Sequence, residues 1–212
     1  MKNISGIRTE YMLQQLDEKD VHADPIEQFK TWFHEAHQSK IEEVNAMTLA
    51  TVDANHRPHA RIVLLKGVDE QGFTFFTNYN SHKGQNLSDS HHVALVFFWK
   101  ELERQVRIEG DAVRLTDAEN DEYFLSRPEE SRIGAWASPQ SSVIAGREVL
   151  DHNVEELKKR FEGKEVMRPP HWGGYRVEPV RIEFWQGRPG RLHDRVLYER
   201  IRNGWEISRL AP

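Results

Sequence analysis

The stretch RLHDR, residues 191–195, puts two guanidiniums, one imidazole and one carboxylate into five positions. Read as a strand, it alternates faces, with Arg191, His193 and Arg195 on one and Leu192 and Asp194 on the other. Three cationic or near-cationic groups on one face repel one another unless an anion lies among them. Trp185, a little upstream, adds an aromatic surface suited to a flat, conjugated anion. The same stretch also reads as a surface strand whose arginines pair with Asp194 or its neighbours.

Three further segments carry groups for anions. In RIVLLK (61–66), Arg61 and Lys66 bracket four apolar residues. A regular strand separates them by roughly 16 Å and points them to opposite faces. They reach two ends of one long ligand only if the strand twists or bulges; otherwise they are the snorkelling ends of a buried strand. TNYNSHKG (77–84) is a polar turn opening a helix, where hydroxyls, free amides and Lys83 suit a phosphate. An ordinary capped helix start fits it equally. In YFLSRPEESR (123–132), Tyr123 and Arg127 are four apart, on one helix face, and Ser131 lies a turn further, past Pro128. Phenol, guanidinium and hydroxyl make a second phosphate site, or a solvated helix face.

Other chemistries find no pattern. Cysteine is absent, so there is no thiolate ligand or nucleophile and no disulfide framework. Among eleven histidines only His91 and His92 are adjacent. Neighbours on a strand face apart and no HExxH spacing occurs, so no metal site is expected. No GxSxG, GxGxxG or GxxxxGK[ST] is present.

The elements that must position these groups are legible. DPIEQFKTWFHEAHQ (24–38) predicts a helix with Asp24 as cap, Pro25 at its first position, Glu27 completing a capping box, and Ile26, Phe29, Trp32, Phe33 and Ala36 as its apolar stripe. Strands are expected at 46–53, 57–66 and 73–78, with a turn at 67–72 and a short helix at 82–90. A longer antiparallel pair follows at 93–99 and 104–115. Thr116 and Glu119 form a capping box for a helix to about Leu125, and another helix lies near 146–162. Late strands are expected at 174–186 and 195–200, and Asn203-Gly204 signals a hairpin into 205–210. Many short strands with interspersed helices predict a mainly β, antiparallel barrel with added helices.

The bulk properties agree. The chain has 212 residues, 38% hydrophobic and 30% charged, with ten Phe and six Trp, which suits an ordered globular protein. A net charge of −5 argues against a general nucleic-acid binder. No signal peptide or apolar run of membrane-spanning length is seen, so a cytoplasmic protein is expected. Residues 1–22, polar and weakly patterned, read as a mobile arm, with 23–212 as one domain.

Taken together, RIVLLK, ERQVRIEG, YFLSRP, SRIGAWAS, HWGGYRV, IEFWQG, RLHDR and the ending RLAP stand in one order over roughly 8–212, and the chain resembles the pyridoxine/pyridoxamine 5′-phosphate oxidase family. The resemblance implies an FMN-binding split β-barrel, homodimeric, with about 170–212 as dimerisation segment and FMN at the subunit interface. It implies oxidation of pyridoxamine or pyridoxine 5′-phosphate to pyridoxal 5′-phosphate with dioxygen, giving hydrogen peroxide, and ammonia from the amine. By resemblance, Arg61, Thr77 and Lys83 clamp the FMN phosphate, with His82 beside them. Further flavin contacts fall to Ile62, Val63, Leu64, Leu65, Phe76, Gln105, Gln140, Ser141, Trp185 and Arg195. Lys66 lies between flavin and substrate, and with Tyr123, Arg127 and Ser131 it holds the substrate phosphate. Arg191 and His193, with Leu192 between them, hold the pyridine ring and are the catalytic candidates. Arg8 and Tyr11 form a lid. His82 and Phe76 stand where relatives often carry a basic residue and a tyrosine. A nicotinamide-dependent flavin reductase of the same barrel type, a non-catalytic FMN or pyridoxal phosphate carrier, and a cofactor-free barrel are the alternatives.

Overall fold

The computed structural model describes residues 10–212; Arg8 lies outside them. Nine strands form one antiparallel sheet: β1 Ala46–Val52, β2 Pro58–Leu64, β3 Gly67–Asp69, β4 Gly72–Asn78, β5 His92–Trp99, β6 Arg104–Arg114, β7 Trp172–Gln186, β8 Asp194–Ile201 and β9 Gly204–Arg209. Their order is β2-β1-β5-β6-β7-β4-β3, with β8 also on β7 and β9 on β8. The sheet curls until β2 and β4 come near each other without pairing, which leaves a split in the barrel wall. A β-bulge between Glu109 and Gly110 helps the long β6–β7 pair to bend.

Alternation sets the two faces. Met47, Leu49, Phe73, Phe75, Leu95, Phe97, Val106, Ile108, Ile182 and Phe184 point inward and are buried. Helix α1, Pro25–Gln38, plugs this core with Ile26, Phe29, Trp32 and Ala36. Phe29 packs on Phe73 and Phe97 at ring separations of 4.9 and 5.0 Å. Asp24 caps α1 by accepting from the Ile26 amide at 2.8 Å. The expected capping box does not close, because Glu27 pairs with Lys30 at 2.7 Å instead.

Helix α2, His82–Asp89, follows β4, and α3, Asp117–Ser126, and α4, Glu129–Ala137, follow β6. The Thr116–Glu119 capping box is formed. Helix α5, Arg147–Phe161, packs on α4 and buries no residue of its own fully. The expected turn at 67–72 contains the short strand β3.

Two expectations are corrected. RLHDR is not a strand throughout. Pro189–Arg191 is a 3-10 turn with Gly190 and Arg191 at φ of 64° and 62°, and β8 begins only at Asp194. The face alternation therefore fails for residues 191–193. His91 and His92 do not face apart either: His91 precedes β5, and the rings lie 4.3 Å apart with Asp111 bonded to His92 at 2.7 Å.

From Glu10 to His22 the expected mobile arm runs as a strap without helix or strand, held at several points. The Met12 and Leu13 amides donate to Glu103, and the Leu16 amide donates to Asp194. Leu16 itself is buried. No helix among the described residues is long and apolar enough to cross a membrane.

Candidate functional site

A cavity of about 620 Å³ opens at the barrel split. One wall is β2, contributing Ile62, Val63 and Leu64, with Lys66 just past its end. Phe76, Thr77 and Asn78 of β4 form the other wall, and Tyr123, Arg127, Ser131 and Gln140 close it from α3, α4 and the loop beyond. Leu65, expected at the flavin, turns into the core instead.

Cations stand at both ends of this cavity. At one end Lys83, on the first turn of α2, donates to Gln140 Oε1 at 2.9 Å, and Thr77 lies within 3.5 Å of the same oxygen. Arg61 does not line the cavity but stands behind this corner. Its Nη1 donates to Leu49 O at 3.1 Å and Thr51 Oγ1 at 2.7 Å. Burial pushes the Lys83 ammonium pKa down, and the Arg61 charge adds to that. Among the described residues both side chains bond only to neutral oxygens, so the corner holds uncompensated positive charge. Ser81 spends its hydroxyl as the α2 cap, accepting from Gly84 N and donating to Asn78 O. His82 is exposed beside it, and Ser141 is exposed at φ 72°.

At the other end are Lys66, Tyr123, Arg127 and Ser131. Contrary to expectation, Arg127 does not share a helical face with Tyr123; it ends α3 in an extended conformation, φ −77° and ψ 149°. Pro128 excludes the helical region for the residue before it. Burial lowers the Arg127 pKa, and among the described residues its buried Nη1 has no hydrogen-bond partner. An orphaned guanidinium N–H at one end and an uncompensated Lys83–Arg61 corner at the other fit a ligand set with two phosphates.

The remaining expected residues gather elsewhere. Gln105, Trp185 and Arg195 are register partners on β6, β7 and β8. Trp185 packs on His193 at 4.6 Å and on Tyr11 of the strap at 5.7 Å. The Arg188 amide donates to His193 Nδ1 at 3.1 Å, so the neutral ring carries its proton on Nε2. Burial first, and the Arg191 charge second, lower the His193 pKa. Arg191 and Leu192 are exposed. Arg195 is largely committed already: Nε and Nη2 donate to Glu183, and Nη1 donates to Ala211 O.

These two clusters do not meet within one chain. Trp172 borders the cavity and Trp185 the second cluster, thirteen residues apart on β7, which is roughly 40 Å of strand. They nonetheless share one sheet face. A register row runs Ile62–Thr48–Val96–Arg107–Glu183–Leu197, and Leu64, Phe98, Gln105, Trp185 and Arg195 lie two residues along from it on the same face. Ile62 and Phe98 on that face are 64% and 55% exposed, an apolar surface of the kind a partner covers.

Sequence reasoning missed Trp172, which lies in HWGGYRV yet had no role, and Arg104, a buried arginine held by Gln186, Glu35 and Gln14 over the Trp32 ring. An isolated buried arginine leaves no spacing signal. A second cavity, about 660 Å³ and mostly apolar, lies between α1 and β3 and shares only Lys66 with the first.

Known proteins match the whole chain. The family model described as pyridoxamine 5′-phosphate oxidase matches residues 33–161, and that of the pyridoxine 5′-phosphate oxidase C-terminal dimerisation region matches 172–212. A pyridoxine/pyridoxamine 5′-phosphate oxidase of a Cyanothece species is 55% identical over 99% of both chains. One of Burkholderia thailandensis is 56% identical over 100% of both. The crystal structure of PhzG from Burkholderia lata, in complex with tetrahydrophenazine-1-carboxylic acid, is 33% identical and superposes with a TM-score of 0.88 over 94% of this chain and 99% of that one.

Proposed function

The chain belongs to the pyridoxine/pyridoxamine 5′-phosphate oxidase family, and on that premise we propose that the cavity at the barrel split holds FMN and substrate together, one phosphate at each end. The reaction is oxidation of pyridoxamine or pyridoxine 5′-phosphate to pyridoxal 5′-phosphate. The observation that carries the site assignment is the pair of separate cationic groups at the two ends of one cavity. FMN, when bound, supplies the two-electron acceptor, and dioxygen reoxidises it with release of hydrogen peroxide.

The chain's own groups bind, orient and hold protons. Lys83, Arg61, Thr77 and Gln140 would take the FMN phosphate, and Ile62, Val63 and Leu64 would flank the isoalloxazine. Lys66, Tyr123, Arg127 and Ser131 would take the substrate phosphate, far from the reacting carbon, so their binding energy serves orientation. His193 presents Nε2–H as a donor, because Nδ1 is occupied by the Arg188 amide. That donor suits the ionised 3-oxygen of the pyridine, and Arg191 would pack over the ring.

The protein is a homodimer, and the two half-sites on one chain give the dimer its role. The cavity of one chain would be completed by the Trp185–His193–Arg195 cluster of the second, across the exposed face of Ile62 and Phe98. Tyr11 would cover the site as part of a lid. A cytoplasmic location belongs to the same reading, and cell fractionation tests it.

The experiment is anaerobic addition of pyridoxamine 5′-phosphate to the FMN-loaded protein, followed by air. Bleaching of the flavin's visible absorbance that reverses on aeration, with pyridoxal 5′-phosphate formed, is the expected result. A yellow protein that never bleaches would move the assignment to a carrier, and bleaching by a reduced nicotinamide alone would move it to a reductase.

A further inference from the structure

Arg127 is held differently from the carboxylate-fixed arginines of this protein. Arg195, Arg168 and Arg104 are each fixed by carboxylates: Glu183 for the first, Asp117 and Asp121 for the second, Glu35 for the third. No carboxylate among the described residues pairs with Arg127. Its guanidinium carbon instead lies 4.6 Å from the centroid of the Trp172 ring and 5.5 Å from that of Phe124.

Trp172 belongs to a column of parallel rings. Phe76 stacks on Tyr123 at 3.9 Å and 13°, and on Trp172 at 5.3 Å and 10°. Phe124 meets Trp172 edge-on at 5.1 Å. Gly174, opposite Phe76 in the β4–β7 register, leaves room for that ring; a Cβ there would come within 2.8 Å of it. Arg168 locks the base of the column, since its Nη1 donates to Trp172 O while Nε and Nη2 hold Asp121 and Asp117 on α3.

The geometry points to Trp172 as the positioning residue of the substrate-phosphate grip: its indole orients the Arg127 guanidinium, and through Phe76 the same column orients Tyr123. This rests on the reading of that end of the cavity as the substrate-phosphate site. The physical advantage lies in what a ring leaves free. A carboxylate would occupy the in-plane N–H groups and cancel the charge that a phosphate must meet. A ring face attracts the cation through its quadrupole, perpendicular to the guanidinium plane, and leaves every N–H available. The orphaned Nη1 is what such an arrangement leaves behind.

The test uses FMN-loaded dimer and two readouts, KM for pyridoxine 5′-phosphate and the affinity for inorganic phosphate by calorimetry. Trp172→Leu and the unbranched Trp172→Met should each weaken both about tenfold, the range of a partly desolvated cation–π contact. Trp172→Phe, which keeps a ring, should recover most of the loss. FMN affinity, read from flavin fluorescence, should move by less than about twofold, as expected for an effect local to the other end. In an Arg127→Ala background the Trp172 variants should cost clearly less than they do alone, keeping only what they lose through Tyr123. Penalties that add in full to that of Arg127→Ala, or wild-type phosphate affinity in Trp172→Met, would overturn the inference. Should Trp172→Leu not fold, the Phe and Met variants decide it alone. If Arg127→Ala by itself leaves phosphate affinity and KM unchanged, the site reading fails first, and that outcome is distinct.

Discussion

His193 shows how one backbone contact sets the chemistry of a side chain. The Arg188 amide must donate, so Nδ1 must accept, and the ring offers Nε2–H while it stays neutral. Burial and the neighbouring Arg191 keep it neutral to lower pH than usual. Protonating Nδ1 requires giving up the Arg188 bond. The folded pKa is depressed below the unfolded one, so the unfolded chain binds the proton more readily. Any stability this contact contributes is present above the ordinary value of 6.5 and is lost as pH falls through the lower, folded pKa. The same titration should appear as an acid limb in kcat/KM, lying below 6.5, and His193→Asn should remove that limb. A limb that persists unchanged in the Asn variant would assign it to another group. Arg191, at φ 62°, adds a strained non-glycine backbone beside this histidine, as functional turns often do.

Among the elements, the strap over 10–22 depends on a glycine. Gly187 lies against Tyr11, and a Cβ added there would stand 2.7 Å from the Tyr11 Cβ. A larger residue must push Tyr11 away from Trp185 and His193. Gly187→Val should therefore speed hydrogen exchange at the Met12 and Leu13 amides, which donate to Glu103, and lower kcat/KM several-fold, while the melting temperature shifts by only a few degrees. Exchange at wild-type rates in that variant would show that Tyr11 does not depend on the close approach.

For the whole molecule, the decisive feature is the separation of the two clusters along β7. Trp185 and Arg195 do not line the cavity of their own chain, so on the proposed half-sites a flavin there would meet those of the partner, and dimer and cofactor affinities would be coupled. Phe98, 55% exposed on the shared face, is the place to test this. Phe98→Asp should weaken the dimer and with it the apparent FMN affinity, and saturating FMN should in turn favour the dimer, as reciprocal linkage requires. Sedimentation velocity and flavin fluorescence on the same samples report the two. A monomer that retains full FMN affinity would break the assignment of half-sites.

What could be read from the chain alone was local or was carried by a resemblance. The Asp24 cap, the Thr116–Glu119 box, the strand alternation and the Asn203-Gly204 hairpin are determined by neighbours within a few positions, and they appear within a residue or two of expectation. The ordered motifs identified the family, and with it eleven of the seventeen residues that line the cavity. Tertiary structure decided what depends on distant partners. RLHDR became a left-handed turn because β8 pairs with β7 only from Asp194 onward. Leu65 turned inward, and Arg195 found Glu183 instead of standing free. Trp172 acquired Phe76, Tyr123 and Arg127 as neighbours only when β4, α3 and β7 came together. Periodicity and capping act over one or two turns of chain, whereas a ring column or an ion pair joins segments tens of residues apart, and its members carry no spacing that marks them in advance.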